Sequence, residues 1–230
     1  MFQFSRSEFE NAPRERLNRK RLFHCDVYLV EANDRKYVVK DYCYKLLPVK
    51  WLIGVPVIWN EHGSMARLQD TGGVPPGIHK IDRYCMAMEF VESQKISRFK
   101  DSPGCPVIIE RLGKLIDEMY SLGVVHMDLR HSSNLIVTED LRPILIDFGT
   151  AWIRRGWLFG FDPIFYIGRK MDISSVVKWK VKLCPQLADE SELSAHRWAI
   201  VWSMLFFLNP TRFVRNLLPQ KWRPRRPDHR

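Results

Sequence analysis

The sequence has little that would staple, anchor or export it. Its five cysteines, Cys25, Cys43, Cys85, Cys105 and Cys184, are odd in number, scattered and without a CxxC pair. That pattern argues against a disulfide framework and a zinc site, and it fits a reducing compartment. The opening MFQFSRSEFENAPRERLNRK lacks the apolar stretch of a secretory signal. The longest apolar run, AIVWSMLFFL at 199–208, is about half of the roughly 20 residues that a membrane span needs. No internal repeat and no low-complexity block is visible. The expectation is a cytoplasmic chain whose closest approach to lipid is peripheral contact at the inner face of the cytoplasmic membrane.

Acidic residues are also scarce, 26 Asp and Glu against 36 Lys and Arg, a formal charge of +10. Such a surface favours anionic partners without choosing among nucleotides, nucleic acid, lipid headgroups and phosphorylated sugars. Hydrophobic residues, at 46% of the 230, are too many for a disordered chain and enough for a sizeable core.

Residues 1–20 read as a polar, loose lead-in. CDVYLVEANDRKYVVKDY gives two β-rich runs around a polar turn, a hairpin. VIWNEHGSMARLQDTG reads as a helix, with Ile58, Met65 and Leu68 on one side and GGVPPG as its stop. GIHKIDRYCMAMEFVE reads as a second strand pair. Further on, Ile108, Leu112, Leu115, Ile116, Met119 and Leu122 form the stripe of an amphipathic helix. NLIV and ILID, joined by TEDLRP, form another hairpin, and the pattern from 172 onward is mostly helical. The expected fold is α+β: a lead-in at 1–20, a small β-rich lobe at 21–92, a helical lobe at 93–210 and a basic tail at 211–230, in one domain with a cleft.

The chemistry concentrates in VVHMDLRHSSNLIVTEDLRPILIDFGTAW, residues 124–152. Asp128 lies in a loop before a strand, Asn134 at that strand's entrance, and Asp147 at the end of the next strand, before a flexible Phe148-Gly149. Hairpin pairing would bring Asn134 and Asp147 face to face. Oxygen ligands of that kind suit Mg²⁺ or Mn²⁺ shared with phosphates. Asp128, set slightly apart, could take a proton from an attacking hydroxyl, which is the geometry of phosphoryl transfer.

Here the residues carry a resemblance. HMDLRHSSN at 126–134 is similar to the protein-kinase catalytic loop, and IDFG at 146–149 to its metal-binding strand end. The resemblance implies Asp128 as base, Asn134 and Asp147 as metal ligands, and Lys40 of KYVVK with Glu61 as the pair that positions ATP. It sets Arg130 where kinases often carry a lysine that steadies the transferring phosphate. It makes MEFVES a hinge whose Glu89 and Val91 backbone groups meet adenine. The sequence departs from the kinase pattern in three ways. NRKRLFHCDVYLV before Lys40 has no glycine, so Arg19, Lys20 or Arg21 would supply charge; Met127 replaces the usual arginine; no A-P-E follows Asp147.

Compact kinase-like chains without an activation segment include RIO-type protein kinases and the bacterial lipopolysaccharide core kinases that act on heptose or Kdo. MDISSVVKWKVKLCP looks more like the second group, with Asp172 bracing the catalytic loop rather than reacting. The mixture of Trp152, Trp157, Phe159, Phe161, Phe165 and Tyr166 with Arg154, Arg155, Arg169 and Lys170 would suit an anionic bilayer. The tail TRFVRNLLPQKWRPRRPDHR adds more cations. The expectation is therefore an ATP-dependent kinase of a lipopolysaccharide core sugar, with no nucleic-acid partner. A RIO-type serine/threonine protein kinase is the alternative, and a non-catalytic protein on the same fold is the second.

Overall fold

The structure is a computed structural model that describes residues 5–19, 22–154, 162–192 and 194. The chain divides into Met1–Ala188 and Asp189–Arg230. In the second unit, the Asp189 carboxylate accepts a hydrogen bond from the Glu192 N–H at 2.7 Å, a helix-start cap.

The first unit begins with α1 (Arg6–Asn11) and β1 (Arg14–Arg16), followed by β2 (Asp26–Ala32) and β3 (Arg35–Asp41). A short helix α2 (Leu47–Val49) and a π-helical turn lead into α3 (Val55–Leu68), then β4 (His79–Asp82), β5 (Cys85–Glu89) and β6 (Gln94–Lys95). The helical half holds α4 (Cys105–Ser121), β7 (Val124–Val125), β8 (Leu135–Val137), β9 (Pro143–Leu145), β10 (Trp152–Ile153) and α5 (Pro163–Leu183). It is the α+β, two-lobed arrangement expected from the sequence, a β-rich front and a helical back.

The front sheet runs β1-β2-β3-β5-β4, with each described pairing antiparallel. Asn33 and Asp34, at φ 49° and 59°, form the two-residue turn between β2 and β3. Positive φ at both centres gives the twist that such hairpins need. Alternation along β3 then sorts its side chains. Tyr37 and Val39 face a small outer cluster with Phe9, Val30, Cys85 and Ala87. Val38 and Lys40 face the other way, towards α3.

The lead-in is more ordered than its composition suggested. Ser5 caps α1 in a reciprocal box: its Oγ accepts the Glu8 N–H at 3.2 Å, and its own N–H donates to Glu8 at 2.7 Å. The helix exists to deliver Phe9, fully buried on the outer face of the sheet, a burial worth about 1.5–3 kcal/mol. Arg6 adds ion pairs to Asp41 at 2.8 Å and Asp82 at 2.5 Å.

The main core runs without a break from the sheet into the helical half. Ile58, Met65 and Leu68 of α3 and Met86 and Met88 of β5 share it with Ile108, Leu112, Leu115, Ile116 and Met119 of α4. Gly123 ends α4 at φ 73°, a left-handed position that suits glycine. One sequence expectation needs correcting here. Cys105 and Cys184, both buried, form a disulfide with Cα atoms 6.1 Å apart. The start of α4 packs against the end of α5, bringing together cysteines 79 residues apart in sequence. The apolar run at 199–208, the basic tail, and Trp157, Phe159, Phe161 and Arg155 lie outside the described residues. No helix among the described residues is long and apolar enough to cross a membrane.

Candidate active site

Lys40 stands one residue before the end of β3, opposite Met86 of β5. Its ammonium lies 2.5 Å from Glu61 Oε1 and 3.0 Å from Asp147 Oδ1, joining α3 to the end of β9. Glu61 is 1% exposed because it shares the core-facing side of α3 with Ile58, Met65 and Leu68. Burial works against the Lys40 charge, but Glu61 and Asp147 outweigh it, so the ammonium is held well above its ordinary pKa. The same contact holds the Asp147 carboxyl below the usual range, against the opposing effect of burial.

The β8–β9 hairpin sets the other two groups. Leu135 pairs with Leu145, and the Ile146 N–H donates to Asn134 O at 3.0 Å, which places Asn134 beside the strand end carrying Asp147. Asn134 Nδ2 then donates to Asp128 Oδ2 at 2.8 Å and to Asp128 O at 3.0 Å. Its Oδ1 accepts the Ser133 hydroxyl at 2.9 Å. Burial raises the Asp128 carboxyl's pKa, with His131 and Asn134 pulling the other way. A carboxylate with raised basicity, still 38% exposed at the side chain, has what a proton acceptor needs.

Two residues at the site hold strained backbone. Met127 has φ 68° and Asp147 φ 67°, at about 1–3 kcal/mol each. Asp172 of α5 pins the first of them. Its carboxylate accepts the His126 N–H at 2.7 Å and the Met127 N–H at 2.8 Å. Burial nevertheless pushes Asp172 up to about 7. His126, fully buried, donates from Nε2 to Ile146 O at 3.1 Å and accepts the Asp128 N–H on Nδ1 at 3.3 Å, the pattern of a neutral ring. Burial lowers its pKa to about 4. Asp172 thus braces the loop, as the sequence suggested, and His126 braces it with Asp172.

Other expected residues sit less simply. The Glu89 N–H is taken by Pro76 O at 2.9 Å, and its carboxylate pairs with Arg35 at 2.8 Å. The Glu89 contact to adenine could therefore come only from its carbonyl. Val91 O accepts the Ser93 hydroxyl at 3.0 Å, leaving the Val91 N–H as the group of that residue that could donate to a base. Arg130 is turned to α5, where Nη1 meets Ser174 Oγ at 3.0 Å.

Two residues that the sequence reading passed over complete the site. Asn60, just before Glu61, donates from Nδ2 to the carbonyls of Phe148, Gly149 and Ala151 at 3.3, 3.3 and 2.7 Å. It ties α3 to the segment after Asp147. Asn18 ties the ends of the glycine-free loop together: Nδ2 donates to Cys25 O at 2.8 Å, and Oδ1 accepts the Val27 N–H at 3.0 Å. Of the three cations expected over the phosphates, Arg19 is exposed, and Lys20 and Arg21 lie outside the described residues.

The donor set fits a hard divalent cation. Asn134 and Asp147 offer amide and carboxylate oxygens, and more than half of the Asp147 side chain is open. Among the described residues no cluster of three or more His, Cys, Asp or Glu side chains could cage a metal unaided. Such a site leaves coordination positions for phosphate oxygens, as Mg²⁺ prefers.

A small antiparallel sheet, a helix carrying a buried glutamate, and a braced Asp–Asn–Asp constellation at a hairpin define a protein-kinase-like fold. The sequence profile described as "RIO domain" matches residues 32–154, and the chain belongs to that family. A probable bifunctional tRNA threonylcarbamoyladenosine biosynthesis protein of Methanosarcina acetivorans is 37% identical over 131 residues, 55% of this chain and 23% of that protein. The serine/threonine-protein kinase RIO2 of Caenorhabditis elegans is 29% identical over 110 residues, 47% of this chain and 21% of that protein. The chain thus spans less than a quarter of the length of these relatives. Among solved structures, the Rio2 kinase–ADP/Mg²⁺–phosphoaspartate complex from Chaetomium thermophilum superposes with a TM-score of 0.56 at 14% identity. That match covers 76% of this chain and 58% of that one, and it supports the fold.

These matches overturn the expectation of a lipopolysaccharide core sugar as acceptor and partner. The relatives found are RIO-type and tRNA-modification proteins, and the basic α5 segment that suggested a sugar kinase belongs to a RIO-family chain. They equally remove the ground for setting nucleic acid aside, because RNA modification is among the relatives' named roles.

Proposed function

We propose that the chain is an ATP-dependent kinase of RIO type that transfers the γ-phosphoryl group to a serine or threonine hydroxyl of a protein. One observation carries this reading: Lys40 bridges Glu61 and Asp147 while Asn134 ties Asp128 into the same site. Lys40 meets the nucleotide's phosphates, and Glu61 holds it extended. Asn134 and Asp147 would hold a divalent cation, Mg²⁺ or Mn²⁺, which when bound would neutralise charge on the phosphates. Asp128, its basicity raised by burial, accepts the proton of the attacking hydroxyl, whose oxygen forms the new bond to phosphorus as the bond to the ADP oxygen breaks. Arg130 stands on the acceptor side of that transfer. The carbonyl of Glu89 and the N–H of Val91 meet adenine. The named activity of the Caenorhabditis elegans relative supports the protein acceptor.

The test is phosphate transfer from γ-labelled ATP to serine- and threonine-containing peptides, with Mg²⁺ and with Mn²⁺. Phosphoserine or phosphothreonine formed by the wild type and absent from Asp128→Ala is expected. ATP turnover with label passing only to water would overturn the proposal.

A further inference from the structure

Most half-buried cations near the site are matched by acids. Arg6 has Asp41 and Asp82, Arg16 and Lys45 share Asp26, and Lys40 has Glu61. Two half-buried cations near Asp128, Arg130 and Lys178, break that rule, and the exposed Lys182 adds a third positive charge next to Lys178. Arg130 rests on the Ser174 hydroxyl, and Lys178, one turn further along α5, donates from Nζ to Arg130 O. Lys178 and Lys182 both lie against the Trp179 ring, 4.6 and 5.3 Å from its centroid. The Trp179 indole N–H is fixed on Leu129 O at 2.8 Å, so this group is tied to the loop that carries Asp128.

None of the three is in an ion pair among the described residues; the acid that acts on Lys178 is Asp128, itself 3.6 Å from His131. Burial depresses the Arg130 guanidinium, and burial, Arg130 and Lys182 together push Lys178 down to about 8. Positive charge collected in a part-buried place without a counter-ion is costly, and an anion from outside relieves it. Lys40, the cation of the nucleotide side, is already committed to Glu61 and Asp147. The unbalanced group lies instead on the Asp128 side, with Arg130 on the loop and Lys178 and Lys182 on α5.

We propose that Arg130, Lys178 and Lys182 form an acceptor-side anion subsite that selects serine or threonine residues flanked by a carboxylate or a phosphate in a protein segment. The inference rests on the protein-kinase reading above and names its substrate class. A carboxylate or phosphate on the acceptor chain would reach Lys178 and Lys182 while the neighbouring hydroxyl reaches Asp128.

The test uses the full chain and two sets of peptides. In one, alanine replaces the acceptor, and binding is read by fluorescence anisotropy; in the other, the serine is kept and transfer is measured. Each set carries flanks of Asp/Glu, phosphoserine, neutral residues or Lys, and the first two arms separate carboxylate from phosphate. We expect acidic or phosphorylated flanks to improve binding and kcat/KM by about ten- to a hundredfold, the worth of about one charge-assisted hydrogen bond. Lys178→Gln could disturb the loop through Arg130 O, so Lys182→Glu, which touches no loop atom, is the decisive variant. It should erase the preference and move it towards Lys flanks. Charge-indifferent binding by the wild type, or a preference unchanged in Lys182→Glu, overturns the subsite. Acidic peptides that bind with the expected preference but are never phosphorylated keep the subsite and overturn the serine/threonine reading instead. A single-stranded RNA oligonucleotide that outcompetes the acidic peptides, and loses that advantage in Lys182→Glu, overturns the peptide assignment.

Discussion

Replacing Lys40 by Met tests whether the Lys40–Glu61 pair is kept for stability or for nucleotide binding. Glu61 is 1% exposed and Lys40 12% at the side chain. Lys40→Met leaves a buried carboxyl without its cation, a loss of about 3–5 kcal/mol. At roughly 2–4 °C per kcal/mol for a chain of this size, Tm should fall by about 6–20 °C. Glu61→Gln should cost less, because Lys40 keeps Asp147 at 3.0 Å and that carboxylate is 57% exposed. The double variant Lys40→Met/Glu61→Met removes both charges and should return to within about 2 kcal/mol of wild type, since a well-packed apolar pair often replaces a buried ion pair without loss. The pH dependence gives a second reading. Burial already pushes the Glu61 carboxyl up. Without Lys40 that push is opposed only by the Phe148 N–H, and Asp147 adds to it, so between the two carboxyl pKa values the folded state holds a proton that the unfolded state has lost. Stability of Lys40→Met should therefore fall as pH rises from the ordinary carboxylate range towards the raised folded pKa. Urea denaturation of the four proteins at pH 5 and pH 8, with ADP–Mg²⁺ affinity measured beside it, decides the matter. A double variant as unstable as Lys40→Met, or a Lys40→Met more stable at pH 8 than at pH 5, would refute the reasoning.

Asp147→Ala should lose the metal dependence of nucleotide binding, whereas Asp128→Ala should bind ATP and fail in transfer; isothermal titration with and without Mg²⁺ separates them. Asn60→Ala removes one donor from three carbonyls, and should cost about 1–3 kcal/mol in urea unfolding and lower turnover more than nucleotide affinity. Lys178, facing Arg130, Lys182 and Asp128, loses its charge as pH rises through about 8. KM for acid-flanked peptides should therefore climb above that pH, while neutral peptides show no such rise.

Much of the site was legible because its chemistry is local in sequence. Asp128 and Asn134 lie six residues apart in one loop, and the β8–β9 hairpin that sets Asp147 beside Asn134 is only eleven residues long. Lys40 and Glu61 were placed by the strand and helix that carry them. Asn60 and Lys178 were missed because each acts through contacts with distant chain, for which spacing gives no signal; the Asn18 side chain bonds to nearby Cys25 and Val27, in a stretch with no periodic pattern to draw attention to it. The pairing of Cys105 with Cys184 was hidden for the same reason. The ordered lead-in did have a signal: Ser5-x-x-Glu8 is a capping-box sequence, overlooked because six helical residues are too few to show periodicity. The acceptor was misread for a different reason. Composition and aromatic-basic clustering report an affinity for anions, and such an affinity is common to kinases of sugars and of proteins.

The helix at the front end of the chain also decides where the molecule can safely be cut. The span matched to the family starts at residue 32, yet Phe9 and Val30 lie upstream of it and cover Tyr37, Val39 and Ala87. A shortened protein beginning at residue 32 would keep Lys40, Asp128 and Asp147 but bare a greasy sheet surface and an unpaired strand edge. It would tend to clump in the test tube, and its silence in an assay would say nothing about the chemistry proposed for the 230-residue chain.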